Sequence, residues 1–407
     1  MKNFIIKIKE NFLPFFLIFF GILSAMMIFQ GTVNYKYSYD NHLLMLAERF
    51  TQLKISLSGN NLPPGDYVDY FAQIYLYFGP FSSIILIPVV LIFGMTVPQI
   101  IIGISCLIIA FLVVYKISGR FSFSEKDSLW LSIFYVFSTV QFCLGITNIT
   151  AYQVQILGST LLLLSLSEYF GKKRYLLIGI LLALAGLTRF TLYLSVLFFF
   201  IELLSGRINK KQFIILLIPV ILSGILYGAY NSRRFHSIFE TGYKYNITLK
   251  NYPISSNIKW GFFSPKHIPA NLYILLFKAP DPILESGGGF VLKFPYLKVD
   301  PWGLSILFTS PLLVYLILNY KKTKYSLSLI ITILAIAVPS LVYSGIGFAQ
   351  FGYRYSMDFL PFLFILLLPS LVPVLSWKAK ILITIGVLFN CLFVGSLWGI
   401  YPHFLIY

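Results

Sequence analysis

An all-α, polytopic membrane fold is what the sequence predicts, and three observations predict it. Of 407 residues, 58% are hydrophobic and only 11% charged, with a mean hydropathy of +0.83, far from the composition of a soluble domain. Apolar runs of roughly 17 to 25 residues recur along most of the chain, each long enough to cross a hydrocarbon core of about 30 Å as a helix. The runs are continuous rather than alternating, which excludes a β-barrel and leaves helices to satisfy the backbone in lipid.

The first run follows a basic start, "MKNFIIKIKENF", and lacks a small-residue cleavage site, so it is read as a retained helix over 11–30. The stretch 77–94 is apolar but short and carries Pro80 and Pro88, which predicts a re-entrant or interfacial helix. Spans are expected over 97–117, 128–145, 150–168, 211–229, 302–320, 326–343, 359–376 and 380–400. The run 176–203 is too long for one ordinary span, and it is basic on both sides: Lys172, Lys173 and Arg174 before it, Arg207, Lys210 and Lys211 after it. Both flanks should be cytoplasmic, so the run is expected to cross twice, as a hairpin of short helices turning near "GLTRFT" at 186–191.

With that choice the basic clusters fall on one side: Lys2, Lys7 and Lys9; Lys116, Arg120 and Lys126; Lys321, Lys322 and Lys324; Lys378 and Lys380. The count closes at about eleven crossings in a single transmembrane domain, with the N-terminus cytoplasmic and the C-terminus extracytoplasmic. Outer segments are then 31–78, 230–300 and 344–358. The first two hold Asp40, Glu48, Asp66, Asp69, Glu240, Asp281, Glu285 and Asp300, eight of the fourteen acidic residues, so chemistry is expected on the outer face. No internal repeat resembles the inverted halves of transporters.

The candidate residues lie in those segments. In "YSYDNHLLMLAERF", Asp40 opens a helix expected to lie along the membrane, where a carboxylate meets both a lipid phosphate and a water-soluble partner. His42 and Glu48 accompany it, and no second histidine lies at metal-ligand spacing. Asp66 and Asp69 in "PPGDYVDY" read as turn chemistry or as a wall of the same site. Arg233 and Arg234, in "YNSRRFHSIF", either snorkel to headgroups or hold a phosphate, for which the guanidinium fork is suited. Lys266 and His267 in "WGFFSPKHIP" and Arg354 in "QFGYRYSMDF" are further candidates. An ion pair of Arg354 with Asp358 is the structural alternative for the last of these.

Together these segments resemble the multispanning glycosyltransferases of the GT-C fold, which include the protein O-mannosyltransferases and the bacterial transferases that place aminoarabinose or galacturonic acid on lipopolysaccharide. "YSYDNHLLMLAERF" is similar to that family's first outer loop, "YFGPFSSIILIPVVLIFG" to its Pro-rich short segment, "LLALAGLTRFTLYL" to its helix ending in Thr-Arg, and "FGYRYSMDFLPFL" to its late Arg-Tyr segment. The likeness spans about 10–380. With no C-terminal soluble domain expected, the chain looks closer to short bacterial members than to the protein mannosyltransferases. The family often has paired acids in the first loop, whereas here Asn41 follows Asp40.

The resemblance implies a polyprenyl-phosphate-linked sugar as donor, a glycan, lipid or protein as acceptor, and inverting transfer on the outer face. It implies Asp40 as the catalytic carboxylate, with Arg354, Arg233, Arg234 and Lys266 as candidates for the donor phosphate, and His42, Glu48, Asp69 and His267 around the acceptor. No cofactor is implied; some relatives use a divalent metal, and no second carboxylate stands beside Asp40. The rival readings are a transporter or flippase of a lipid-linked saccharide, which would need charges inside the spans, and a non-catalytic membrane scaffold. The net charge of +17 comes in clusters between apolar runs, which argues against nucleic acid. Cys106, Cys143 and Cys391 have no paired spacing and read as small core residues.

Overall fold

The computed structural model describes residues 2–33, 41–57, 62, 66–246, 254–285, 289–372 and 374–397. Asp40 lies outside them. Helix α1 (Lys2–Val33) precedes α2 (His42–Thr51), the antiparallel strands β1 (Tyr67–Tyr70) and β2 (Gln73–Leu76), and two short helices, α3 (Phe81–Ile84) and α4 (Ile87–Phe93). Then come α5 (Ile101–Arg120), α6 (Glu125–Phe137), α7 (Gln141–Ile146), α8 (Thr150–Tyr169), α9 (Tyr175–Thr188), α10 (Val196–Leu204) and α11 (Lys210–Phe235). The chain continues through α12 (Ile268–Leu276), a second hairpin of β3 (Asp281–Leu284) and β4 (Leu292–Lys298), and α13 (Ile306–Thr309) and α14 (Tyr315–Leu318). It closes with α15 (Ser326–Leu341), α16 (Leu360–Leu371) and α17 (Trp377–Leu397).

The fold is mostly helical, with strands confined to the two hairpins among the described residues. Three helices there are long and apolar enough to cross a membrane: Ile101–Arg120, Lys210–Phe235 and Trp377–Gly395. Their outward faces are apolar. Ile104, Ile108 and Leu112 of α5, and Ile214, Ile218 and Leu222 of α11, are exposed at helical spacing while Cys106, Ala110 and Val114 point inward, the pattern of a helix with lipid on one side and protein on the other. The centre is α8, every residue of which except Leu164 is buried.

Two expected spans are broken. The run 128–145 divides into α6 and α7 because Thr139 turns its hydroxyl to Tyr135 O and also accepts from Gln141 N, replacing helical bonds. Asn390 of α17 then donates to the freed carbonyls of Phe137 and Thr139, and to that of Thr309. The run 302–320 is likewise split into α13, a 3-10 turn at Pro311–Val314, and α14. Pro311 has no N–H, and it forces Ser310 out of the helical region, to φ −139° and ψ 65°. The stretch 77–94 forms α3 and α4. Of these, α4 buries no residue and leaves Leu91, Ile92 and Phe93 exposed, as an interfacial segment would.

The run 176–203 doubles back on itself. Helix α9 stops at Thr188, Arg189 is extended (φ −141°, ψ 124°), and a 3-10 turn at Phe190–Ser195 leads into α10. Its two ends meet. Glu202, fully buried in α10, accepts from Tyr169 Oη at 2.6 Å, Ser328 Oγ at 2.6 Å and Arg207 at 2.6 and 2.7 Å. Nearby, Arg120 donates to Ser167 O, Arg174 pairs with Glu168 at 2.8 Å, and Arg207 lies over the Tyr325 ring. One end of the bundle is therefore basic, and the break at Arg189 lies toward the other, with Thr188 and Leu192 against Gly158 midway along α8.

Candidate active site

At that other end four segments converge on α8. Asp66 accepts from Ala151 N on Oδ2 at 3.2 Å, capping the first turn of α8 from a distant loop, and from the Tyr77 hydroxyl on Oδ1 at 2.6 Å. Burial first, and then the Asp66 charge, push the Tyr77 phenol well above its ordinary pKa, so it remains a donor. Gly79 fastens this corner to α9: its N–H donates to Thr188 O at 3.1 Å, and a Cβ there would strike the Leu187 carbonyl.

The Tyr77 ring lies 4.6 Å from Tyr243, Tyr243 lies 6.0 Å from Tyr343, and Tyr343 lies 6.1 Å from Tyr355. These four rings and Arg189 wall a cavity of about 390 Å³. Phe190, Leu194 and Phe263 also line it and are 60%, 39% and 56% exposed, so the cavity opens among apolar side chains. A larger groove of about 480 Å³, lined by aliphatic and aromatic side chains of α1, α5, α6 and α7, offers no group for chemistry.

Arg189 lines the cavity, and Arg354 lies behind Tyr355, one of its walls. The extended backbone at position 189 turns Arg189 inward, where Nε and Nη2 donate to Asp358 Oδ2 at 3.2 and 3.0 Å and the Thr191 hydroxyl joins them at 3.1 Å. Asp358 is fully buried. The alternative reading of Arg354, an ion pair with Asp358, is therefore not what forms: that carboxylate is taken by Arg189. Arg354 instead donates Nη1 to Gln155 Oε1 and Nη2 to the Tyr355 hydroxyl, both at 3.3 Å, and lies over the rings of Tyr355 (4.8 Å) and Tyr152 (5.7 Å). Its Nε is buried without a hydrogen bond, and no carboxylate contacts it among the described residues.

The loop before Arg354 is held taut. Ile346 and Ala349 adopt positive φ (53° and 62°), a conformation unfavourable for a β-branched residue. Buried Gln350 bridges it, donating to Trp302 O (2.7 Å) and Ile346 O (2.8 Å) and accepting from Arg354 N (2.8 Å). Tyr152 of α8 donates to Ala349 O at 2.7 Å, fixing the loop to the central helix.

The other residues singled out in the sequence are dispersed. Arg234 is 1% exposed and works as a fastener, donating to Leu76 O, Phe78 O and Asn231 Oδ1 between the rings of Tyr230 and Phe235. Its terminal nitrogens are thereby occupied by the protein. Arg233 faces outward from the same helix, and Lys266 is exposed. His267 is buried, with Nε2 donating to Gly261 O at 2.9 Å. His42 is buried beside Thr150 and the Tyr67 ring, Glu48 is half-buried on α2, and Asp69 is exposed on β1. None of the four phosphate candidates lines the cavity; Arg354 touches its Tyr355 wall and Arg234 its Phe78 wall. Arg189 and the tyrosine walls were not singled out, although an arginine within the apolar run "LLALAGLTRFTLYL" was the signal available, and Asp358 was named only as a partner for Arg354. No protein-family model, curated protein or solved structure matches the chain.

Proposed function

We propose that the chain is a polytopic membrane glycosyltransferase of the GT-C type, which moves a sugar from a polyprenyl-phosphate donor to a hydroxyl of a glycan, lipid or protein on the outer face of a cell membrane. The observation that carries this reading is the unequal state of the two arginines. Arg189, in the cavity wall, is neutralised by Asp358, whereas Arg354, behind the Tyr355 wall, has no carboxylate in contact among the described residues. A guanidinium whose Nε is buried without a partner and that no carboxylate contacts among the described residues favours a ligand that brings its own negative charge. A lipid-linked phosphate brings that charge, and its tail suits the exposed apolar rim of Phe190, Leu194 and Phe263.

In this reading the acceptor oxygen attacks the anomeric carbon while the sugar–phosphate bond breaks on the opposite side, which inverts the centre. The polyprenyl phosphate leaves with the bonding electrons as a monoester, and Arg354 stabilises its added charge, so no general acid is required. The acceptor proton passes to a carboxylate, assigned to Asp40. About eleven crossings, a re-entrant 77–94 segment, a cytoplasmic N-terminus and an extracytoplasmic C-terminus complete the proposal. They put the basic end inside and the cavity outside.

The test is mass spectrometry of membrane glycans from cells with and without the gene, paired with cleavage of a labelled polyprenyl-phosphate sugar by the purified protein in nanodiscs. Arg354→Lys keeps the charge but loses the fork, and should slow cleavage by about 100-fold, the usual cost of one lost charge-stabilising donor, with unchanged folding. Movement of the intact donor across the bilayer without cleavage would replace this reading with a flippase.

A further inference from the structure

The basic end of the molecule carries a second polar hollow, of about 620 Å³, between α14 and the turn that joins α16 to α17. Tyr315, Leu318 and Lys321 line it from one segment, and Ser370, Ser376 and Lys378 from the other. The segments are tied across it: Tyr315 Oη lies 2.8 Å from Ser376 Oγ, and Lys321 Nζ donates to Val372 O at 3.1 Å. Lys322 and Lys324, both exposed, follow Lys321 in the chain. Among the described residues no carboxylate contacts any of these four lysines.

Its depth is marked independently. Trp377, 67% exposed, begins the apolar stretch Trp377–Gly395, and Tyr320 is 40% exposed on the facing segment, an arrangement typical of the headgroup level of a bilayer. Ile317, Leu318 and Val374, next to the lysines, are 69%, 70% and 65% exposed. A soluble anion would balance the lysines and leave these apolar side chains uncovered; a lipid covers both.

We propose that this hollow is a specific seat for the phosphodiester headgroup of an anionic membrane lipid, with Lys321 and Lys378 on the phosphate and an acyl chain along Leu318 and Val374. Clustered lysines at this depth attract anionic lipid, and a hollow built from two segments makes one defined place for it. The inference is independent of the glycosyltransferase reading and concerns the opposite end of the molecule.

Native mass spectrometry of the full chain, titrated in detergent with phosphatidylglycerol or with phosphatidylcholine, tests it. The expected result is one phosphatidylglycerol adduct of highest affinity, weakened about tenfold or more by Lys321→Gln/Lys378→Gln and retained by Lys321→Arg/Lys378→Arg. Lys172→Gln/Lys173→Gln removes the same charge from the same end outside the hollow and should leave the adduct intact. Should the first pair unfold, Lys378→Glu serves in its place, because the Lys378 ammonium lies over the Trp377 ring and forms no ion pair among the described residues. Equal loss in the Lys172/Lys173 control, equal binding of phosphatidylcholine, or an undiminished adduct in the hollow's own variants would each overturn the proposal.

Discussion

Asp358 collects three hydrogen bonds on Oδ2, from two nitrogens of Arg189 and from Thr191, at zero exposure. Removing one member of a buried pair leaves the other charged and unsolvated, which typically costs about 3–5 kcal/mol. Arg189→Gln and Asp358→Asn should therefore each lower thermal stability strongly, and the double variant should lose far less than their sum. Arg354→Gln should unfold close to wild type and show little coupling to Asp358. A coupling of Arg354 with Asp358 as large as that of Arg189 would contradict the pairing. At the catalytic step, Asp40→Asn should abolish transfer while leaving unfolding unchanged. General-base contributions are typically about 100-fold or more, so retention of more than about a tenth of the activity would remove Asp40 from that role.

Among the elements, the corner between β2 and α3 decides whether Tyr77 reaches the cavity, and it depends on a glycine touching α9. Gly79→Ala would push against the backbone of Leu187 and the Tyr227 ring, at a cost of about 1–3 kcal/mol typical of overpacking, and should move Tyr77 away from Tyr243. Gly224→Ala on the lipid-facing side of α11 meets nothing within 4 Å and should be neutral or stabilising, since alanine is the better helix former. Thermal unfolding in detergent compares the two, and equal effects would deny Gly79 its special contact. Helices such as α8 and α15 were legible because apolar length and basic flanks specify them locally. The break between α6 and α7 was not, because Asn390, remote in sequence, supplies the partners for the carbonyls it frees. The break at Pro311 was signalled by Ser-Pro but masked by the apolar run around it. Similarly, Arg354 was legible as a cation at a loop end, whereas its freedom from Asp358 depends on Arg189, which reaches Asp358 only because α9 ends and turns back.

For the molecule as a whole, the separation of a basic end from the arginine cavity is the property on which sidedness rests. Glu202, Tyr169, Ser328 and Arg207 tie the ends of α8, α10 and α15 together, so 173 and 210, which flank the folded-back run 176–203, should share one side of the membrane. That side should be the cytoplasm, because lysine and arginine near span ends are retained there. In a background with Cys106, Cys143 and Cys391 replaced, all three buried in the protein, single Lys173→Cys and Lys210→Cys variants should both resist a membrane-impermeant thiol reagent added outside intact cells. Ser237→Cys, exposed just beyond α11, should react, because α11 runs from the basic end to the other. Permeabilisation should then make the first two reactive, which separates protection by the membrane from burial. Labelling of only one of Lys173→Cys and Lys210→Cys in intact cells would mean that the run between them crosses an odd number of times. The contact of Glu202 with Tyr169 could not then join two ends on the same side, and both the doubling back at Arg189 and the placement of the cavity on the outer face would fall with it.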